Sequence, residues 1–193
     1  MERTHSVRSN GYLILLAILS FILCINLLFY VADVRQTVAD IGVDNTYIIV
    51  FLLAVIGGLS SITGPPLFAT IVTFAAGGSD PLVLGVAGGA GLFISDSIFY
   101  HLFLVGRKSL PDRWESAAAK LRKRIDRLPS WAVLPGSYVY IGLTPLPNDL
   151  LMFALGISGY PYRKIAPILL AADLTLATTT AYLGEVFIYF LTS

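Results

Sequence analysis

The sequence predicts an all-α integral membrane protein, and three observations carry that expectation. First, 56% of the 193 residues are apolar, only 13% are charged, and the mean hydropathy is +0.78. A soluble domain carries about 25% charged residues. Second, the apolar residues gather into four blocks, 12 to 32, 47 to 77, 82 to 105 and 131 to 192. Third, the basic residues are concentrated between these blocks rather than spread over them, as in a chain oriented by the positive-inside rule.

The first block, from Tyr12 to Tyr30, has the length of a spanning helix and lacks a small-residue cleavage site. It is read as a retained transmembrane helix, so that residues 1–46 comprise this helix and an external linker. Cys24 lies within it and is the only cysteine, which rules out a disulfide framework or a metal-thiolate site. The second block is 31 residues long, where a simple span needs about 20. Gly57-Gly58, Ser60-Ser61 and Gly64-Pro65-Pro66 fall at its centre, and Pro cannot continue a helix without losing a hydrogen bond. The block is therefore read as a re-entrant hairpin of two short helices, 47–77. A transmembrane helix follows at 82–106. An amphipathic helix is expected at 112–128, where Asp112 and Glu115 form a capping box and Trp114, Ala118, Leu121, Ile125 and Leu128 line one face opposite Lys120, Arg122, Lys123 and Arg124. A second re-entrant hairpin, 131–157, is broken at Gly142-Leu143-Thr144-Pro145-Leu146-Pro147, and a last transmembrane helix spans 165–190. Residues 47–193 thus form one membrane domain.

Charge fixes the expected orientation. The loop 107–127 holds most of the thirteen Lys and Arg residues against three acids, so it faces the cytoplasm, as do Arg3 and Arg8. Both basic segments lie on one side only if the block 47–77 returns to the side it started from. The linker Asp33 to Asp44 and Ser79-Asp80 then fall outside, the loop 107–130 and Arg163-Lys164 inside, and the C-terminus outside. A weak internal repeat agrees. Thr63 to Pro66 and Thr144 to Pro147 share Thr-x-x-Pro at an offset of 81 residues, each followed by a short apolar helix, a glycine and a longer helix with one internal Asp, Asp96 and Asp173. Opposed hairpins of this kind mark an inverted repeat, in which broken helices meet near the bilayer midplane and form a substrate site.

Ionisable residues at membrane depth are costly, which makes them candidates for function. Asp96, Asp149 and Asp173 are the candidates for ion or proton coupling. Each has a plainer reading. Asp149 would cap a half-helix, Asp96 would bond Tyr100 on its own helix, and Asp173 would belong to a polar stripe with Thr180. Glu185 reads as wet at the outer interface. His101 reads as a packed group more readily than as a proton relay, and Gly85 with Gly89 as a packing motif. The half-helix starts place unpaired N–H groups and a positive dipole end at membrane depth. The substrate-binding candidates are accordingly Thr63, Gly64, Pro65, Thr144, Pro145, Pro147, Asn148 and Asp149, with Arg107, Arg163 and Lys164 at the headgroup interface. No cofactor, metal site or nucleic-acid partner is expected; membrane lipids are, with self-association open. No serine-histidine pair or spaced acidic motif suggests an intramembrane enzyme.

The order of these motifs resembles the DedA family, also called the VTT or SNARE-associated Golgi domain, and its short YqaA-like members in particular. The resemblance covers about residues 50 to 185. It lies in the Gly-Pro hairpin, in GVAGGAGLFISDSIFYHLFLVGRK with Asp96 and Gly106-Arg107, and in TPLPNDLLMFALGISGYPYRK with Asp149. It implies two opposed re-entrant hairpins in a prokaryotic plasma membrane and lipid movement as flippase or scramblase, with proton coupling in some members. Ser95 replaces the glycine of the family's Gly-Asp pair. Acidic residues are absent between Ser60 and Thr70, and Gly142 stands where an arginine is expected before Pro145. The function expected is transport of a phospholipid or polyprenyl phosphate. The alternatives are a proton- or cation-coupled solute transporter and a membrane scaffold.

Overall fold

A computed structural model describes residues 46–58, 64–107, 112–144 and 147–192. The expected N-terminal helix, Cys24, most of the linker, Thr63 and Pro145 lie outside the described residues. The described chain is all helical: α1 Thr46–Gly57, α2 Gly64–Ala76, α3 Pro81–Gly106, α4 Asp112–Arg127, α5 Ser130–Leu143, α6 Asn148–Ser158 and α7 Tyr162–Thr192.

Local chemistry accounts for the boundaries. Pro65 and Pro66 sit in the first turn of α2, where a missing N–H costs nothing. The Asp80 side chain caps α3, accepting from the Leu82 N–H at 2.8 Å and the Val83 N–H at 3.2 Å, with Pro81 at the first helical position. Helix α6 ends at Gly159, whose φ of 69° is left-handed, and the Tyr160 N–H closes the turn onto the Leu155 carbonyl at 3.0 Å. Helix α7 begins at Tyr162, three residues before the expected 165. Arg163 and Lys164 are therefore part of its first turn, which closes from the Lys164 N–H onto the Pro161 carbonyl at 3.0 Å.

Helices α3 and α7 are long and apolar enough to cross a membrane, the first over Pro81–Gly106 and the second over Tyr162–Val186, with mean hydropathy 1.7 and 1.3 over an 18-residue stretch of each. Helices α1, α2, α5 and α6 have 12, 13, 14 and 11 residues. At 1.5 Å per residue they reach roughly 16 to 21 Å, short of a hydrocarbon core of about 30 Å. The chain thus repeats one order, short, short, long, on either side of α4.

The two sets interlock. Helix α1 packs on α3 and α5 on α7, within their own sets, but α2 packs mainly on α7 and α6 on α3. The most extensive interface joins α3 to α7, which run antiparallel, with Gly85 against Thr178 and Gly89 against Leu174. Each main interface is closed by a glycine. A Cβ on Gly89 would come 2.6 Å from the Leu174 Cα, on Gly91 2.5 Å from the Phe51 carbonyl oxygen, and on Gly142 3.3 Å from the Ala172 Cα. On Gly156 it would meet the Phe103 Cβ at 2.7 Å, and on Gly184 the Val72 Cα at 2.9 Å. Small residues let apolar helices pack where lipid leaves no hydrophobic driving force between them.

The buried face of α3 mixes small and polar residues with Leu84, Leu92, Phe99 and Tyr100, and its exposed face is apolar. Gly85, Gly88, Gly89, Gly91, Ser95 and Asp96 are buried, whereas Leu82, Val86, Ile94, Ile98 and Val105 are exposed. Such an outer face suits a hydrocarbon solvent and would be a liability in water. Two cores result. One joins Val50, Leu67, Ile71 and Leu84 to Ala177 and Ala181, and the other joins Phe99, Tyr100, Ile141, Met152, Ile165 and Leu169.

Candidate functional site

The short helices stop inside the molecule, and their ends surround a cavity of about 430 Å³ between α3 and α7. Gly57 and Gly58 close it at the end of α1, and Gly64, Pro65 and Phe68 at the start of α2. Opposite stand Thr144, after the last turn of α5, and Pro147, Asn148 and Asp149 at the start of α6. The two long helices supply the side walls, Leu92 and Asp96 from α3 and Leu176 and Thr180 from α7. The cavity has the size of a small-molecule site.

Its polar groups are organised around Asp96. This residue is 1% exposed and accepts a hydrogen bond from the Asn148 side-chain amide at 3.2 Å, which ties the middle of α3 to the start of α6. Asp149, in the first turn of α6, lies within electrostatic reach of Asp96. So does Asp173, which is fully buried, finds no hydrogen-bond partner for either carboxyl oxygen among the described residues, and sits behind the wall rather than in it. The α6 start is held in place by Tyr140, whose hydroxyl donates to the Pro147 carbonyl at 3.0 Å, and Thr144 donates to the Tyr140 carbonyl. Close packing of Gly58 onto Ser95 fixes the α1 end, where a Cβ would lie 2.8 Å from Ser95 Oγ.

Of the sequence-derived candidates, Gly64, Pro65, Thr144, Pro147, Asn148, Asp149 and Asp96 converge on one cavity. Asp96 does not bond Tyr100 as expected: its partner comes from α6, and Tyr100 donates instead to the Tyr160 carbonyl. The residues Asp173 and Thr180, one stripe on paper, separate, because Thr180 lines the cavity and Asp173 does not. Arg107 is remote from the cavity. Its guanidinium packs over Gly159 at the C-terminal end of α6, where a cation is favoured by the helix dipole and the left-handed φ of 69° favours glycine. Arg163 and Lys164 are exposed at the start of α7.

Sequence reasoning missed the walls made by Leu92, Leu176 and Phe68, whose apolar character carries no signal of its own. It also missed a cluster beside the α7 start. The Ser97 and Tyr162 hydroxyls are 2.6 Å apart, His101 Nδ1 is 2.7 Å from the Ser97 carbonyl, and the His101 and Tyr162 rings meet edge to face at 4.6 Å. His101 is thus a packed, hydrogen-bonded group. Among the described residues, no group of three His, Cys, Asp or Glu side chains is arranged to hold a metal ion. Searched against protein-family models, curated proteins and solved structures, the chain has no significant match.

Proposed function

We propose that the protein moves lipids between the leaflets of a membrane, as a flippase or scramblase, with a headgroup held in the cavity and the tails left in the bilayer. One observation carries this reading: the ends of four helices too short to span a bilayer meet at a largely apolar cavity, with Asp96, Asn148 and Asp149 in its wall, between two helices long enough to span it. In this reading α1–α2 and α5–α6 are re-entrant hairpins of opposite orientation, the protein is multi-pass in a prokaryotic plasma membrane, and α4 is cytoplasmic. The motif order shared with DedA proteins supports the same assignment, with phospholipid or polyprenyl phosphate as substrate.

Reconstitution tests it. Full-length protein in vesicles should accelerate the transbilayer movement of an acyl-labelled phospholipid or a polyprenyl phosphate, and no acceleration over empty vesicles overturns the reading. Topology is tested separately in a Cys24→Ser background. Asp40→Cys and Ser79→Cys, on either side of block 47–77, should both react with an impermeant thiol reagent on intact cells, and Lys120→Cys only after permeabilisation; reaction of Asp40→Cys and Ser79→Cys from opposite sides overturns the first hairpin. The acidic lining favours a second reading, a proton- or cation-coupled solute transporter. An ion-gradient-dependent flux abolished by Asp149→Asn, with no lipid movement, would select it.

A further inference from the structure

We infer that helix α4 is a docking surface for the anionic phospholipid headgroups of the leaflet on its side of the membrane, separate from the cavity and independent of what the cavity carries.

Lys120, Lys123, Arg124 and Arg127 follow one another at i, i+3, i+4 and i+7, so they form one stripe along α4, and all four are exposed. The stripe repels itself. Like charges three or four residues apart destabilise a helix, and here 120 faces 123 and 124 while 127 faces the same two positions. Neighbouring acids give little relief. Asp126 is the only acid between residues 116 and 129, and Lys120, Arg124 and Arg127 have no acid three or four positions away. An anionic surface laid along the stripe removes the repulsion.

Position decides which anion that is. Helix α4 is tied to α3 through residues 107–111 and to α5 through residues 128–129, and a linker of that length reaches at most about 18 Å when extended. It stays close to where α3 leaves the membrane. Leu128 and Trp131, 53% and 77% exposed where the chain enters α5, put apolar surface at that level, and Trp is enriched at the boundary between membrane and water. An amphipathic helix ordinarily sinks its apolar face among the lipid tails. Here Leu121 and Ile125 are half-buried and α4 packs on α6, so that face is occupied and the basic stripe is what remains for the leaflet. The rest of the charge agrees. Every Lys and Arg among the described residues falls in 107–127 or at 163–164, and the packing of Arg107 over Gly159 brings the end of α3 beside the start of α7. Asp80 and Glu185 lie toward the opposite end of the antiparallel pair. Basic segments held at this level attract acidic lipids within about a Debye length of the surface.

A fluorophore on the helix tests the docking. Full-length protein with Cys24→Ser and Ala119→Cys is labelled at residue 119, exposed four residues before Lys123, and placed in nanodiscs of phosphatidylcholine with or without phosphatidylglycerol. Acrylamide, an uncharged quencher that surface charge does not exclude, reads its exposure. Quenching should fall in the anionic discs, and the protection should be lost at 1 M salt, where the Debye length is about 3 Å. Protection should also be lost in Lys120→Gln/Lys123→Gln/Arg124→Gln and kept in Lys120→Arg/Lys123→Arg, which preserves the charge. Equal quenching in both kinds of disc, measured on the labelled protein with its stripe intact, overturns the inference without depending on any stripe variant folding. Protection that survives the Gln variant assigns it to apolar contact and overturns the stripe as its source. Protection by added heparin, but not by phosphatidylglycerol, gives the stripe to a soluble anionic partner and overturns the lipid surface.

Discussion

At the start of α2, Gly64 and Pro65 offer the cavity little beyond backbone, whereas at the start of α6 Pro147, Asn148 and Asp149 add an amide and a carboxyl group. The two halves repeat the same order of helices but not the same chemistry. Their cores differ in the same sense. The buried members of the first are all aliphatic, among them Val50, Ala54, Ile71 and Ala177, with Tyr47, Phe68 and Phe74 only packed against it, whereas the second buries Phe99 and Tyr100 and has Tyr138, Tyr160 and Tyr162 against it. A repeat fixes where helices end, while side chains at those ends remain free to diverge. In this chain the first half brings a helix start with little beyond backbone, together with Asp96 from α3, and the second brings Asn148 and Asp149 at the helix start itself.

The largest effect should come from breaking the element that both halves share. Gly89→Leu forces a side chain onto the α7 backbone, since even its Cβ would lie 2.6 Å from the Leu174 Cα. Rigid backbone cannot yield as a flexible side chain can, so the cost should reach about 3 kcal/mol, the upper range of overpacking. Thermal unfolding followed by size-exclusion chromatography in detergent checks it. Gly136→Leu is the control, because nothing lies within 4 Å of a Cβ built there. An equal loss in both variants would mean that the helix pair is not closed by glycine contact.

The next effect sharpens the contrast between the two starts. Asn148→Ala removes the amide donor to buried Asp96 and leaves that carboxyl group without its interhelical partner. The expected cost is about 1 to 3 kcal/mol, the penalty for orphaning a buried polar group. Transport should fall with it, because the start of α6 loses its tie to α3. A stable variant with unaltered transport would remove Asn148 from the site.

Most of the helix order was legible in the sequence because Gly and Pro mark helix ends by local geometry. Gly64-Pro65-Pro66 and Thr144 to Pro147 needed no tertiary information to be read as breaks. Seven candidate residues converge on the cavity for the same reason, since each belongs to a break or is an acid in an apolar run. What escaped was pairing. Nothing in the sequence around Asp96 says that its partner is Asn148, 52 residues away, rather than Tyr100 one turn along. The crosswise docking of α2 on α7 and α6 on α3 depends on shape complementarity at Gly184 and Gly156, which look like any other glycines in an apolar helix. Arg107 was legible as a charge at a helix end, but its place over Gly159 depends on the α6 turn.

A smaller effect tests the polar cluster of the second core. Ser97→Ala and Tyr162→Phe each remove one hydroxyl of a pair 2.6 Å apart while keeping the ring contact with His101. A double-mutant cycle on unfolding should return a coupling of about 1 kcal/mol, the usual net worth of a hydrogen bond. Coupling near zero would mean that the aromatic packing, and not the hydroxyl pair, holds the α7 start against α3.

The smallest effect is expected where the two halves are joined. Helix α4 packs on α6, with Leu121 and Ile125 half-buried and Lys120, Lys123 and Arg124 exposed. Solvated charges of this kind contribute little to folding, because water screens them and their side chains stay mobile. Replacing all three by Gln should therefore change stability by less than about 0.5 kcal/mol in detergent. Leu121→Asn should cost more, since it puts an amide into the contact with α6. A reversal of that order would make the basic face, and not the apolar one, the surface by which α4 joins the fold, and would move the boundary between the two halves from packing to electrostatics.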